Sequence, residues 1–219
     1  SKGIVKRTPL VDFSNPRTTG IRAINLDNDD FVIDVQVTSG KDNVLLATYE
    51  GQAIRFPETD VRSMGRTAGG VIGIRMEKDD RVIGMSVAGD DMTVLTVTEN
   101  GFGKRTTVGE YRLQHRGGSG IINIKTTDRN GNVVGMLTVD DDDEVVVVST
   151  DGVVLRTSVK DLRKIGRNTQ GVKIMTPTEG AKISAVARAV PEAKEDQITE
   201  AAAEGAENGA EEEFEDDTD

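Results

Sequence analysis

The pentapeptide Gly101-Phe-Gly-Lys-Arg105 decides the fold, because the chain repeats its pattern at a spacing near fifty residues. A glycine and an arginine four positions apart recur in Gly3-Ile-Val-Lys-Arg7, Gly51-Gln-Ala-Ile-Arg55 and Gly152-Val-Val-Leu-Arg156. Self-similarity at a fixed period is the signature of a repeat architecture, in which each copy is one small unit that packs on its neighbours. The sequence therefore divides into repeat units at about 1–50, 51–100, 101–151 and 152–190.

A second anchor follows the first at a fixed distance. A glycine with a β-branched residue after it comes nineteen residues after the first glycine of the motif, or seventeen in the first unit. An arginine precedes this glycine by four positions at Arg66, Arg116 and Arg167, and by three at Arg17. Two anchors in register over four copies indicate a tandem array. The glycine pairs are Gly20-Ile21, Gly70-Val71, Gly120-Ile121 and Gly171-Val172.

Short β-branched stretches fill the units, as in 32–37, 94–97 and 145–148, and they are typical of strands. No stretch before residue 191 carries helical periodicity, so we predict an all-β fold with about four strands in each unit. The dipeptides Asn100-Gly101 and Asp151-Gly152 favour two-residue type I′ hairpins. Four strands in roughly 40 to 50 residues are typical of a propeller blade. Because no strand precedes Gly3, we expect these blades to belong to a longer array.

The acidic residues are concentrated at the C-terminal end of the sequence. The chain carries 38 Asp and Glu against 27 Lys and Arg, and 13 of the acidic residues lie in 191–219 beside the single Lys194. This leaves 26 basic and 25 acidic residues in 1–190, which is close to neutral. A segment rich in Ala, Glu, Asp and Gly cannot bury enough apolar surface to offset its chain entropy. We therefore expect 191–219 to be a disordered acidic tail.

The composition excludes several kinds of site. The absence of Cys rules out disulfides, thiolate zinc sites and a cysteine nucleophile, and a lone His115 cannot build a metal site or a triad. The acidic run 140–144 lacks a glycine-spaced loop, so it is interpreted as a solvated hairpin tip rather than a cation site. No apolar run approaches the roughly 20 residues that cross a bilayer. We expect a cytoplasmic protein without membrane association and without catalytic residues or a cofactor of its own.

Three stretches identify a known family by resemblance: Val61-Arg-Ser-Met-Gly-Arg-Thr-Ala-Gly-Gly70, Asn100-Gly-Phe-Gly-Lys-Arg-Thr106 and Ile165-Gly-Arg-Asn-Thr-Gln-Gly171. They resemble the C-terminal domain of the DNA gyrase A protein, and the resemblance runs from about Gly3 to Val190. It implies a β-pinwheel, a propeller-like ring, typically of six blades, in which neighbouring blades exchange strands. It also implies that duplex DNA wraps around a basic outer rim and so supports negative supercoiling. ATP and magnesium would be used by other domains, and the partners would be the rest of gyrase A and gyrase B.

Cations at repeated positions fit this expectation, because duplex DNA carries a negative charge about every 1.7 Å along its axis. One set of candidate DNA-binding residues lies in the glycine–arginine motif: Lys6, Arg7, Arg55, Lys104, Arg105 and Arg156. A second set lies before the glycine pairs: Arg17, Arg62, Arg66, Arg112, Arg116, Arg163, Lys164 and Arg167. The bland alternative is that surface strands simply carry solvated Lys and Arg. Recurrence across four units favours a shared role.

The segment Gln114-His-Arg-Gly-Gly-Ser-Gly120 resembles the Gln-x-Arg-Gly-Gly-x-Gly box of this family. It lies in the third of four units, whereas the family box lies in the first blade, and Ser119 stands where the box usually has Lys or Arg. The backbone of Gly117 and Gly118 could approach phosphates closely, or these glycines could only permit a turn. Both interpretations stay open at this point.

Two other functions compete with DNA wrapping by gyrase. The equivalent domain of topoisomerase IV has similar blades, and a propeller could also be a protein-interaction scaffold that needs no phosphate contacts. The acidic tail could compete with phosphate for the basic rim, or it could be a solubilising terminus without a specific partner. Affinity that falls steeply with salt would separate DNA wrapping from a scaffold.

Overall fold

The computed structural model describes residues 1–87 and 89–189, and in these ranges the chain forms 13 β-strands and four short 3-10 turns. The 3-10 turns are Leu10–Phe13, Glu58–Asp60, Val108–Glu110 and Val159–Asp161. The expected tail, 191–219, lies outside the described residues. The strands are β1 (Ile4–Val5), β2 (Asn43–Thr48), β3 (Gln52–Pro57), β4 (Val71–Ile72), β5 (Val82–Val87), β6 (Thr93–Thr98), β7 (Phe102–Thr107), β8 (Ile121–Ile122), β9 (Val133–Val139), β10 (Glu144–Ser149), β11 (Val154–Ser158), β12 (Val172–Lys173) and β13 (Ile183–Ala189).

Neighbouring blades exchange strands. The second blade has the order β5-β2-β3-β8 and the third has β12-β7-β6-β9, with all neighbours antiparallel. In each of these blades, the outermost strand is a two-residue strand from the following repeat unit. Within the described ranges the fourth blade has three strands, β11-β10-β13, and the first is reduced to the pair β1-β4. The predicted all-β pinwheel is confirmed, and the expected number of four strands is reached in the second and third blades.

The blades pack side by side through their inner strands and hairpins. Strand β9 packs against both β5 and β13, so these three strands form the inner side of the array. One core cluster joins the second and third blades through Leu45, Val94 and Met136, and another joins the third and fourth through Val97 and Val147. Strand β6 belongs to the third blade, which has a blade on either side, and it is buried along its whole length; all but one of the residues of β11 and β13, in the fourth blade, are exposed or half-buried. Burial therefore follows position in the array, since all blades have similar sequences.

The predicted strand at 32–37 is wrong. The structure assigns no strand there, and Phe31, Val35 and Val37 are 67%, 79% and 74% exposed. The equivalent strands β5, β9 and β13 each pair with the first strand of their own hairpin, namely β2, β6 and β10. By equivalence, the partner of 32–37 would stand before Gly3, and the described residues supply none. A β-branched stretch without a partner leaves its backbone groups unpaired and does not form a ladder.

The two-residue type I′ hairpins are also wrong. A type I′ turn needs positive φ at both central residues, but of Asn100 and Gly101 only the glycine has one, at +78°. The Gly101 amide donates to the carbonyl of Thr98 at 3.0 Å, and residues 99–101 form a three-residue loop between β6 and β7. Gly152 has the same conformation, with φ at +83°.

Candidate nucleic-acid interface

Three connecting segments, 61–75, 111–125 and 162–176, cover the outer edge of the blades. Each segment follows a 3-10 turn and adds a short outer strand to the preceding blade, where β4 pairs with β1, β8 with β3 and β12 with β7. Parallel bridges fix the start of this course, joining Arg7 to Ser63, Arg55 to Leu113 and Arg105 to Lys164. We call 61–75, 111–125 and 162–176 the outer segments. Because each segment is held by two blades, its side chains occupy repeated positions along the array.

The outer segments contain basic residues and no Asp or Glu. Arg62, Arg112 and Arg163 occupy equivalent positions in the three segments, and all three side chains are exposed. Acidic residues instead cluster in the turns at the ends of the strands, as in 77–80, 90–91 and 140–143. A surface of one sign with mixed surfaces on either side attracts a ligand of the opposite charge. The geometry therefore offers a cationic outer edge.

Three cations of the first predicted set do not belong to this edge. Arg55 and Arg105 are 5% and 4% exposed, and Lys104 is fully buried. The Arg105 Nε donates to the carbonyl of Leu162 at 2.9 Å, and its Nη1 lies 2.5 Å from an Asp141 carboxylate oxygen. Arg55 repeats this arrangement one blade earlier, with the carbonyls of Val108 and Tyr111 and the carboxylate of Asp90. These arginines hold the next repeat unit in place. They recur because the contact between consecutive units recurs.

The rest of the first set is more accessible. The Lys6 Nζ donates to the carbonyls of Ala23 and Arg66, and partial burial together with the Arg66 charge lowers its pKa, although Asp12 opposes this. Arg7 lies 3.6 Å from a carboxylate oxygen of Glu58. Arg156 is exposed and forms an ion pair with Glu144 at 2.6 Å. The carboxylates reduce the positive charge that these two arginines present to a ligand.

Lys104 illustrates the cost of burying a cation. Its Nζ donates to the Thr106 hydroxyl at 2.6 Å and to the Gly166 carbonyl at 3.2 Å. Burial lowers the pKa of this amine from 10.5 to about 7, although the Glu110 carboxylate opposes the shift. Near neutral pH the amine therefore titrates inside the contact between the third and fourth units, where no phosphate can reach it.

We predict that Lys104 makes stability depend on pH. Below pH 7 the amine is charged in both states, and burial of the charge lowers the stability of the fold. As the pH rises above about 7, the folded protein releases its proton first while the unfolded chain keeps it, so the free energy of unfolding increases. We expect a gain on the order of 1 to 3 kcal/mol by about pH 9. Urea unfolding of the wild type and Lys104→Met over this range tests it, because the variant curve should be flatter. Parallel curves would contradict the assignment.

The second set divides into exposed cations and half-buried arginines. Arg17, Arg62, Arg112, Arg163 and Lys164 are exposed, and the Lys164 Nζ lies 3.1 Å from Asp141. Arg66, Arg116 and Arg167 are half-buried. The Arg116 and Arg167 Nη1 atoms donate to the carbonyls of Ile72 and Ile122, at 2.8 and 2.7 Å, respectively. These two arginines therefore tie successive outer strands together and leave only part of the guanidinium for a ligand.

The box-like segment 114–120 contacts the preceding outer segment, 61–75. The Gly117 amide donates to the Gly73 carbonyl at 2.6 Å, and the Gly118 carbonyl accepts from the Arg75 amide at 2.9 Å. Gly117 has φ at +78°, a conformation that glycine adopts readily. The ring of His115 is 96% exposed and its Nδ1 lies 2.9 Å from Asp60. The glycine backbone groups bind the preceding outer segment, which favours the turn over a direct phosphate contact.

Sequence reasoning missed several exposed cations of the outer segments. Arg75 and Lys125 follow the paired glycines by five residues in consecutive units, and both are exposed. Their spacing of fifty residues was the signal that could have identified them. Lys173 lies on β12, with its Nζ 4.6 Å from the centre of the Phe102 ring. Among the described residues, no group of three His, Asp or Glu side chains suits a metal ion, and no helix could span a lipid bilayer.

The amino-acid sequence matches the model of the family described as DNA gyrase C-terminal domain, beta-propeller, over 1–39, 42–88, 93–140 and 143–189. It is 58% identical to the DNA gyrase A protein of Halalkalibacterium halodurans over 186 residues, which cover 85% of this chain and 22% of that protein. Identity to the DNA gyrase A protein of Klebsiella oxytoca is 44% over 211 residues, covering 95% of this chain and 24% of the relative. The chain thus spans about a quarter of the length of the relatives it matches.

Two solved structures share the fold. The C-terminal domain of DNA topoisomerase IV superposes with a TM-score of 0.85 at 25% identity, covering 93% of this chain and 64% of that one. A DNA gyrase A C-terminal domain superposes with a TM-score of 0.77 at 26% identity, covering 87% of this chain and 64% of that one. The fold and the sequence therefore point to the same group of proteins.

Proposed function

Because this chain belongs to the DNA gyrase C-terminal domain family, we propose that it binds duplex DNA along its outer segments and wraps the duplex around the blades. The observation that carries the proposal is the recurrence of exposed arginine at positions 62, 112 and 163 in segments without acidic residues. Cations spaced by a structural repeat neutralise phosphates at intervals and favour a bent path. Contacts with the phosphate backbone position DNA without reading its sequence.

We propose further that the wrapped duplex supports negative supercoiling by a gyrase assembly in the cytoplasm. In that assembly the chain would be the DNA-wrapping part of gyrase A, acting with gyrase B, and other domains would bind ATP and magnesium. The matches to DNA gyrase A proteins support this placement. The topoisomerase IV domain is a second candidate, because its solved structure has the higher TM-score of the two described above. Sequence identity of 58% to a gyrase A protein favours gyrase.

The decisive experiment is topological. The chain is bound to relaxed circular DNA, a relaxing topoisomerase is added, and the linking number is measured after the protein is removed. Wrapping predicts a change in linking number that grows with the ratio of protein to DNA. An unchanged linking number together with retained affinity would leave bending or simple binding in place of wrapping.

A protein-interaction scaffold predicts a different response to salt. Counterion release makes the logarithm of DNA affinity fall linearly with the logarithm of salt concentration, by about 0.9 for each phosphate contact. Affinity should also increase with duplex length until the outer segments are covered. An affinity for DNA that is independent of salt and length would favour the scaffold.

Deletion of 191–219 should tighten DNA binding, and most strongly at low salt. This segment carries 13 acidic residues against one lysine, so we propose that it competes with phosphate for the outer segments. Binding isotherms of the full chain and of 1–190 across a salt series measure the effect, with the difference expected to shrink as salt rises. Equal affinities at every salt concentration would show that the tail has no part in binding.

A further inference from the structure

Strand β7 holds the outer segment 162–176 through two buried polar side chains, Lys104 and Thr106. The Lys104 Nζ donates to the Gly166 carbonyl at 3.2 Å, and the Thr106 hydroxyl donates to the Ile165 carbonyl at 2.8 Å. The Lys104 Nζ also donates to the Thr106 hydroxyl at 2.6 Å, so the amine and the hydroxyl belong to one chain of hydrogen bonds. Two consecutive carbonyls of the outer segment are therefore fixed from below by side chains of β7.

The second blade has no such arrangement. Strand β3 carries Ile54 and Phe56 at the equivalent positions, and both are buried apolar side chains that cannot bind a carbonyl. A buried amine costs free energy that an isoleucine does not, so packing of the blade gives no reason for a lysine in β7. The first unit repeats the bond, since the Lys6 Nζ donates to the Arg66 carbonyl of segment 61–75. A lysine that holds an outer segment is thus a recurring feature.

The outer segment above Lys104 carries four cations, whereas 61–75 and 111–125 carry three each. Arg163 and Lys164 are exposed, and Arg167 is half-buried. The two carbonyls that β7 binds lie between Lys164 and Arg167 in the sequence. Hydrogen bonds to these carbonyls fix the backbone on both sides, and with it the directions in which the neighbouring cationic side chains leave the segment.

We propose that Lys104 is a positioning residue for DNA binding, which fixes the course of segment 162–176 through Gly166 and strengthens the attraction of that segment for phosphate through its own charge. This inference rests on the proposed binding of DNA along the outer segments. Lys104 does not touch the duplex. It acts through the backbone that it holds and through its electrostatic field, which is screened less inside the protein than the field of a solvated charge.

The charge of Lys104 changes near neutral pH. Burial is the main cause of its lowered pKa of about 7; the Glu110 carboxylate opposes the shift, and the Arg167 guanidinium adds to it. On the other strand of the hairpin, the uncharged Thr96 pairs with Lys104. Burial raises the pKa of the adjacent Tyr111 hydroxyl, which stays neutral throughout this range. Bound phosphate favours the charged amine, so DNA binding takes up a proton, and affinity decreases as the pH rises through 7.

Stability and DNA affinity should therefore change in opposite directions with pH. The free energy of unfolding rises above pH 7 because the folded protein then buries a neutral amine. If Lys104 served only the fold, DNA affinity would be constant or would rise with stability. A decrease in affinity over the range in which the fold becomes more stable distinguishes the positioning role from a structural one.

The first test measures affinity for a labelled duplex from pH 6 to 9 at fixed salt, with the full chain and its Lys104→Met variant. Both proteins carry His115→Gln, so that the single imidazole of the chain does not contribute. The parent should lose about tenfold in affinity over this range, which corresponds to a rise of about one pKa unit on DNA binding. The affinity of Lys104→Met should be nearly constant and no higher than that of the parent at pH 9. Parallel curves, or a parent with constant affinity, would overturn the proposal.

A second pair of variants separates the tether from a general loss of a buried hydroxyl. Thr106→Val removes the hydroxyl that binds both Lys104 and Ile165, and it should weaken duplex binding about fivefold at pH 6. Thr93→Val is the matched control, because Thr93 is buried in the same blade and its hydroxyl donates to the Val139 carbonyl rather than to an outer segment. The control should keep the parental affinity, with circular dichroism verifying that both variants are folded.

The outcomes separate this inference from the proposed function. Equal losses in Thr106→Val and Thr93→Val would mean that the hydrogen bonds to segment 162–176 have no special part in DNA binding. Salt-dependent binding that is indifferent to Lys104 and Thr106 would overturn the positioning role and leave the proposed DNA binding intact. A chain that binds no duplex at any pH would instead contradict the proposed function itself.

Discussion

Replacement of Arg62, Arg112 and Arg163 together by alanine should weaken duplex binding about 100-fold at low salt, if each contact contributes about 1 kcal/mol. The three side chains are exposed at equivalent positions of the outer segments, so the fold should be retained. Loss of three phosphate contacts should also reduce the salt dependence of binding by roughly 2.7 in logarithmic slope. Fluorescence titrations of a labelled duplex over a salt series measure both quantities, and circular dichroism verifies folding.

A matched control removes the same number of charges elsewhere. Lys41, Lys78 and Lys182 are exposed and lie in or beside the turns at the ends of the strands. Their triple alanine variant has the same net charge as the arginine variant, so a general electrostatic effect would weaken both equally. The proposal requires the control to lose much less affinity and to keep its salt dependence. Equal losses would mean that DNA does not follow the outer segments.

Gly101→Ala should destabilise the domain by at least about 3 kcal/mol, whereas Gly152→Ala should cost only about 1 kcal/mol. Both glycines have φ near +80°, at +78° and +83°, so the backbone strain of the added methyl group is the same. At Gly101 that methyl group would collide with the Met175 carbonyl of the outer segment 162–176, whereas at Gly152 it meets no described atom within 4 Å. The difference between the two changes in the free energy of unfolding therefore measures the cost of the collision with the outer segment.

Urea unfolding of dilute protein, followed by circular dichroism, provides the comparison. The Gly101→Ala transition should shift to much lower urea, and its DNA affinity should fall because the last outer segment is displaced. If the two alanine variants have the same stability, the contact between Gly101 and the outer segment tolerates the methyl group, and tight packing at Gly101 does not hold the units together.

The repeat predicted the fold well. The contact between consecutive units recurs, and it requires glycines and arginines at the same positions of each unit. The same regularity misled the choice of site residues. Arg55 and Arg62 both recur with the period of the array, and spacing alone does not distinguish a guanidinium that holds two units together from one that faces solvent. Charge context separates them, since Arg62 lies in a segment without carboxylates whereas Arg55 meets Asp90 from a neighbouring turn.

Strand prediction at 32–37 was wrong for a related reason. The pattern Val32-Ile-Asp-Val-Gln-Val37 has the composition of β5, but a strand exists only in a ladder, and its partner is a property of the array rather than of the stretch itself. Exchange of strands between blades was expected only from the resemblance to the family. The outer strands have two residues each, which is too short for any periodicity to reveal them.

The position of the outer segments has a mechanical consequence. Arg112 belongs by sequence to the third unit, yet its neighbour Leu113 is bridged to Arg55 and β8 is paired with β3, both in the second blade. In the proposed complex, a stiff duplex bent around the array would pull outward on the cations that bind it. The hydrogen bonds between adjacent blades would carry that force, so the proposed complex would distribute it over several blades rather than load a single loop.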